Sequence, residues 1–198
     1  QYGLMLSYDT SVFELVDGSC NASGALVAII AIVTGTADPM EAPQYLLDTG
    51  HKNILYLYHS KNYNGQKKLA GYRAALESRG IAVNEQLIRF FADEKNDIPT
   101  VRDKLLALRE SGLVFDAVQT SEDMLAIGAV KYAKAAKLSV PRALSVVGYN
   151  NSSFCLCSEP EITSVDNKLQ AVSEQCVATM MGVLEGREMP QKIVFTGE

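Results

Sequence analysis

The 198-residue sequence predicts an α/β fold built on a mainly parallel sheet. Three observations carry that expectation. Short apolar runs rich in Val, Ile, Leu and Tyr alternate with longer stretches at helical spacing, the pattern of βαβ crossovers. Glycines stand just past the helical stretches, at Gly50, Gly80, Gly112 and Gly186, where a helix stop is expected. Strand propensity, helix spacing and stop signals therefore agree with one another.

The elements follow in chain order. Residues 2–7 are a short apolar run and a candidate first strand, and 25–33 (ALVAIIAIV) reads as one or two buried strands. Residues 39–49 have helical spacing with Ala42, Tyr45 and Leu46 on one face. Ile54–Tyr58 (ILYLY) is a buried strand. Residues 62–79 form a helix with Leu69, Tyr72, Ala75 and Leu76 as its apolar stripe. A strand over 86–91 and a helix over 100–111, with Val101, Leu105 and Leu108 inward, come next. Ala117–Thr120 is a strand, Ser121 a candidate N-cap and 124–137 an alanine-rich helix. Pro141 separates that helix from a strand over 144–149. Residues 162–165 are extended, 170–185 form the last long helix, and 193–196 a last strand. The segment 14–23 has no clear periodicity, and the first forty residues offer too little chain for a βαβ unit.

Composition narrows the function classes. At 47% hydrophobic and 21% charged residues the chain is globular rather than disordered. Its formal charge is −5 without a Lys/Arg cluster, so a phosphate-backbone surface on this chain is disfavoured. Four cysteines contain no CxxC pair and only two histidines accompany them, which argues against zinc. Cys155 and Cys157 would point to opposite faces if extended, and reduced thiols are expected over a disulfide. The apolar run 25–33 is too short to span a bilayer, and the first residues lack the basic flank of a signal peptide. No GxxxxGK[ST], GxGxxG or GxSxG occurs, so phosphate loops and a serine-hydrolase elbow are not expected.

The most informative stretch is SVVGYNN at residues 145–151. It is a buried strand delivering polar side chains at its carboxyl end, where open α/β sheets bind small ligands. Asn150 and Asn151 suit hydroxyl-rich ligands because amides donate and accept; an Asx turn explains them as well. Glu122 and Asp123 open a helix after a strand, which fits capping, or reach toward a ligand. Lys68 reads as a solvated helix lysine on spacing alone. Phe90 and Phe91 end a strand: one is expected in the core, the other is free to stack on a sugar ring. His51, between Gly50 and a strand, reads as a residue fixing a turn rather than as a catalytic base.

From residue 38 onward the sequence resembles the effector-binding region of the LacI/GalR family of bacterial transcription regulators. The resemblance rests on YLLDTGHKNI (Leu46, Gly50, His51, Ile54), KKLAGYRAAL (Gly71, Tyr72, Ala75, Leu76), SEDMLAIGAV (Asp123, Ala126, Gly128), Val140–Pro141, SVVGYNN and EITSV. It implies a two-lobed, periplasmic-binding-protein-like (type I) fold with parallel sheets flanked by helices. It also implies an incomplete amino lobe, since the family places much more chain between its first strand and the Gly-His pair. The expected division is an amino-lobe remnant at 1–36, a carboxyl lobe at 37–165, and a crossover with the closing helix and strand at 166–198.

Position by position, the resemblance implies ligand contacts at Ser7, Lys68, Phe91, Glu122 and Asn150. Three of these depart in type from the family pattern: Lys68 stands for an arginine, Glu122 for an asparagine and Asn150 for an aspartate. The anionic acceptor has then moved from one wall of the site to another. The effector expected is a sugar, an amino sugar or a related polyol. The implied protein is a cytoplasmic, homodimeric repressor-type regulator that catalyses nothing, needs no cofactor or membrane, and binds DNA through an N-terminal helix-turn-helix outside this chain. A periplasmic sugar-binding protein serving a transporter is the alternative on the same fold. An enzyme using His51 or Glu122 is a further rival that lacks a nucleophile constellation.

Overall fold

The computed structural model describes residues 12–15, 31–33, 38–92, 97–190 and 192–194. Two compact units divide the chain: residues 38–166 form one, and the flanking segments, 1–37 and 167–198, form the other.

The larger unit alternates strands and helices: α1 (Glu41–Asp48), β3 (Ile54–Tyr58), α2 (Tyr63–Ser78), β4 (Ile88–Phe90), α3 (Ile98–Glu110), β5 (Ala117–Thr120), α4 (Asp123–Ala135), β6 (Ser145–Tyr149) and β7 (Thr163–Val165). Its five strands lie in the order β4-β3-β5-β6-β7 and every neighbouring pair is parallel. Helical connections make that possible, since parallel neighbours need a long crossover. Side-chain alternation then splits the sheet into two buried faces. Leu55, Leu57, Val118 and Val146 join Val101 and Leu105 of α3 and Leu125, Ala129 and Tyr132 of α4 in one core. Gly128 lets α3 and α4 close on each other, because a Cβ there would overlap Val101. On the other face Tyr56 stacks on Tyr72 of α2, and the Tyr72 hydroxyl donates to the Ile54 carbonyl at 2.7 Å.

Local chemistry sets the element ends. Asn62 caps α2, its side chain accepting the Gly65 N–H at 2.9 Å. Asp97 caps α3, so that helix starts at Ile98 rather than near residue 100, with Pro99 tolerated in its first turn. The expected strand over 86–91 is shorter. Asn84 accepts the Gln86 N–H and winds Glu85–Leu87 into a 3₁₀ turn before β4 begins. In α1 the buried residues are Ala42, Pro43, Leu46 and Leu47, whereas Tyr45, expected inward, is exposed. The cap of α4 is Glu122, not Ser121.

In the smaller unit, β1 (Val12–Leu15) pairs antiparallel with β2 (Ala31–Val33) on one side and β8 (Lys192–Val194) on the other. Helix α5 spans Leu169–Leu184. This small sheet departs from the parallel expectation; antiparallel neighbours need no crossover helix, which suits the short chain between β1 and β2. Strand β1 was not expected from its sequence. Of the run 25–33 only the last three residues form a described strand, and the expected strand over 2–7 lies outside the described residues.

Candidate functional site

The carboxyl ends of β3, β5 and β6 gather a polar group of side chains within the larger unit. Helix α2 contributes Lys68, which is 6% exposed. It is not the solvated lysine that spacing suggested. Asn64, Lys68 and Tyr72 recur at intervals of four and share the helix face turned to the sheet. The Lys68 ammonium donates to the Ser121 carbonyl at 3.1 Å and sits 3.9 Å from the centre of the Tyr149 ring. A carbonyl and a π face thus hold the cation where burial would otherwise penalise it.

Glu122 occupies the N-cap of α4 yet makes no capping hydrogen bond. Its carboxylate instead lies 3.4 Å from His59 Nδ1, with both side chains partly exposed. His59 follows β3 directly and its Nδ1 is also 3.4 Å from Ser121 Oγ. The hydroxyl and the carboxylate approach the same ring nitrogen. A histidine that activates a nucleophile and is oriented by an acid uses its two nitrogens separately, so this trio is not a catalytic triad.

Asp123, by contrast, is 3% exposed. Its Oδ2 accepts the Ser152 N–H at 2.7 Å and its Oδ1 accepts the Ser164 hydroxyl at 2.6 Å. The Cys155 thiol also bonds this carboxylate. Burial first, and then the Asp123 charge, push that thiol up to about 11. Gly148 makes room for the acid, since a Cβ there would overlap Asp123 Oδ1. Asn150 and Asn151 follow, both exposed and both with positive φ, +102° and +46°.

The aromatic pair separates as adjacent strand-end residues must. Phe91 is 1% exposed and lies in the core with Val101 and Leu105. Phe90 is half-buried, with its ring centre 5.2 Å from Tyr58 and 4.3 Å from the Lys61 ammonium. The aromatic surface near the strand ends is therefore Tyr58 and Phe90. Ser7 lies outside the described residues. His59 and Tyr58 were missed in the sequence; their signal was position, the last residue of an apolar strand and the one after it.

His51 stands at the opposite, amino-terminal end of β3. It is 3.3 Å from Asp116 Oδ1, whose carboxylate also accepts the Lys52 and Asn53 N–H groups. The turn is held by the Asp116 carboxylate, with the His51 ring beside it. A shallow depression of about 600 Å³, lined by exposed residues such as Asn53, Gln86 and Val114 and by half-buried Arg89, also lies at this end, away from the polar group. Among the described residues no cluster of three or more His, Cys, Asp or Glu side chains is placed to hold a metal. Cys155, Cys157 and Cys176 are free thiols, and Cys20 lies outside the described residues. No helix among the described residues is long and apolar enough to cross a membrane.

Comparison with known proteins places this arrangement. Residues 44–197 match the periplasmic binding protein-like domain. An HTH-type transcriptional regulator of Lachnoclostridium phytofermentans is 38% identical over 158 residues, covering 80% of this chain and 46% of the relative. The crystal structure of the Escherichia coli transcriptional repressor AscG superposes with a TM-score of 0.73 at 26% identity, over 81% of this chain and 58% of that one. A sugar-binding transcriptional regulator of the LacI family from Escherichia coli, solved with phosphate, superposes at 0.72 with 27% identity, over 81% and 57% of the two chains. The chain thus spans about half the length of the curated relatives it matches.

Proposed function

The chain belongs to the periplasmic binding protein-like domain family, in the form carried by LacI/GalR-type transcription regulators, and on that premise we propose that it is the effector-sensing part of such a regulator. The effector is a sugar, amino sugar or related polyol. It is held at the carboxyl ends of the parallel strands by Lys68, Glu122 and Asn150, with Phe90 or Tyr58 as the apolar wall. The single observation that carries this is Glu122: it stands at a helix N-cap, makes no capping bond, and faces His59. Lys68 supplies a cation and Asn150 an amide nearby, a set suited to hydroxyl and ammonium groups.

The sensing mechanism is a difference in affinity. An effector that binds one arrangement of the regulator better than another shifts the equilibrium by that difference and no more. The shift reaches DNA through a helix-turn-helix outside this chain, in a cytoplasmic homodimer, without catalysis and without a cofactor. Relatives named as regulators favour this reading over a transport protein on the same fold.

Thermal unfolding against a panel of hexoses, disaccharides, amino sugars and polyols tests the proposal. A compound at a hundredfold excess over its dissociation constant stabilises the folded chain by about 2.7 kcal/mol. The expected result is a raised midpoint for one compound class, lost in Glu122→Ala. A flat response across the panel overturns the sugar-sensing assignment.

A further inference from the structure

We infer that Asp123 is a positioning residue that sets the backbone of Asn150, Asn151 and Ser152, and through it the direction in which the two amide side chains face. The inference rests on the sensing role proposed above and adds to it a residue that does not itself meet the effector. Asp123 is buried and both of its oxygens are engaged, so it is not available as a ligand contact.

Three consecutive N–H groups leave β6, and each is held. Asn150 donates to the Val165 carbonyl at 3.0 Å, Asn151 to Ser164 Oγ at 3.0 Å, and Ser152 to Asp123 Oδ2 at 2.7 Å. Ser164 can accept from Asn151 because its own proton goes to Asp123 Oδ1. The carboxylate therefore holds the third amide directly and the second through a relay. Without that anchoring, Asn150 at φ +102°, beyond the left-handed region that asparagine enters readily, would relax toward ordinary backbone. Relaxation would change the direction in which the exposed Asn150 and Asn151 side chains face. Gly148 belongs to the same device, since any side chain on that β6 residue would displace the carboxylate.

Amide hydrogen exchange on the full chain, read residue by residue, tests this without any effector. Asp123→Ala is expected to speed exchange at Asn151 and Ser152 by about tenfold or more, while Val146 and Val147 inside β6 keep their protection. Asp123→Asn, which retains an acceptor oxygen, is expected to restore part of the protection. If Asp123→Ala fails to fold, Ser164→Ala cuts the relay alone and is expected to speed exchange at Asn151. Unchanged exchange at Asn151 and Ser152, or equal acceleration throughout β6, overturns the assignment. A second arm titrates D-glucose, cellobiose and D-glucosamine by calorimetry into wild type and Ser164→Ala. If any of them binds the wild type, the variant is expected to bind it at least about tenfold more weakly, and equal affinity overturns the link to the site. If none binds the wild type, the sugar reading is weakened and the exchange result still decides the role of Asp123.

Discussion

Helices α3 and α4 both begin at an acidic N-cap, and the two acids do different things. Asp97 accepts the Thr100 N–H at 2.9 Å and the Thr100 hydroxyl at 2.7 Å. It satisfies donors that a helix start always leaves open. Glu122 occupies the same position on α4 and makes no capping bond; it faces His59 at the open end of the sheet. The histidines repeat the contrast at the two ends of β3. The carboxylate beside His51 is engaged by two backbone N–H groups of a turn, whereas His59 and its carboxylate stand beside Ser121, whose carbonyl holds Lys68.

The contrast can be broken or sharpened by substitution. The largest effect is expected at Gly148→Ala, where the added methyl meets the Asp123 carboxylate in a closed space. Chemical denaturation should show a loss of about 1–3 kcal/mol. Next is Glu122→Ala, expected to weaken effector binding by about tenfold, or roughly 1.4 kcal/mol. Its stability should stay within about 0.5 kcal/mol of wild type, because no cap is lost. A matched pair of titration and melting curves checks both halves. Asp116→Ala should do the reverse: it costs about 1 kcal/mol of stability by stripping acceptors from the Lys52 and Asn53 amides, and leaves affinity unchanged.

The smallest effect is pH-dependent. The Thr100 backbone N–H, and then its hydroxyl, hold the Asp97 carboxyl below its usual range. A group depressed in the folded state contributes stability above its unfolded value, near 3.9, and loses it as the pH falls through the folded value. Asp97→Ala should therefore lower the melting midpoint slightly at pH 7, and the difference should vanish in strong acid. A difference that persisted below that range would mean that the carboxylate charge is not what caps α3.

Much of the larger unit was legible because its signals are local. Ile54–Tyr58 and Ala117–Thr120 form strands over the residues read from the sequence. Asn62 starts α2 and glycines follow α1, α2 and α3. Asn150 and Glu122 also stand just past β6 and β5, the strand ends read from the sequence. Lys68 was half legible: four residues before Tyr72, it shares the buried stripe, but an ammonium is ordinarily assigned to solvent. The division between Phe90 and Phe91 was not readable, since adjacent strand residues face opposite ways and the strand's phase depends on a 3₁₀ turn set by Asn84. The antiparallel pairing of β1 with β2 and β8 was missed because so short a strand carries little pattern.

By itself the sequence determined the alternation of strands and helices, the glycine stops, and the end of the sheet at which the polar residues cluster. These follow from propensities and periodicities that act within a few residues. Only the tertiary structure decided that Lys68 is buried on the Ser121 carbonyl, that Glu122 turns to His59 instead of its own helix, and that Asp123 reaches Ser152 and Ser164, 29 and 41 residues away. A carboxylate's partner is set by which groups the packed sheet brings within about 3 Å, and neighbours in sequence do not encode that distance.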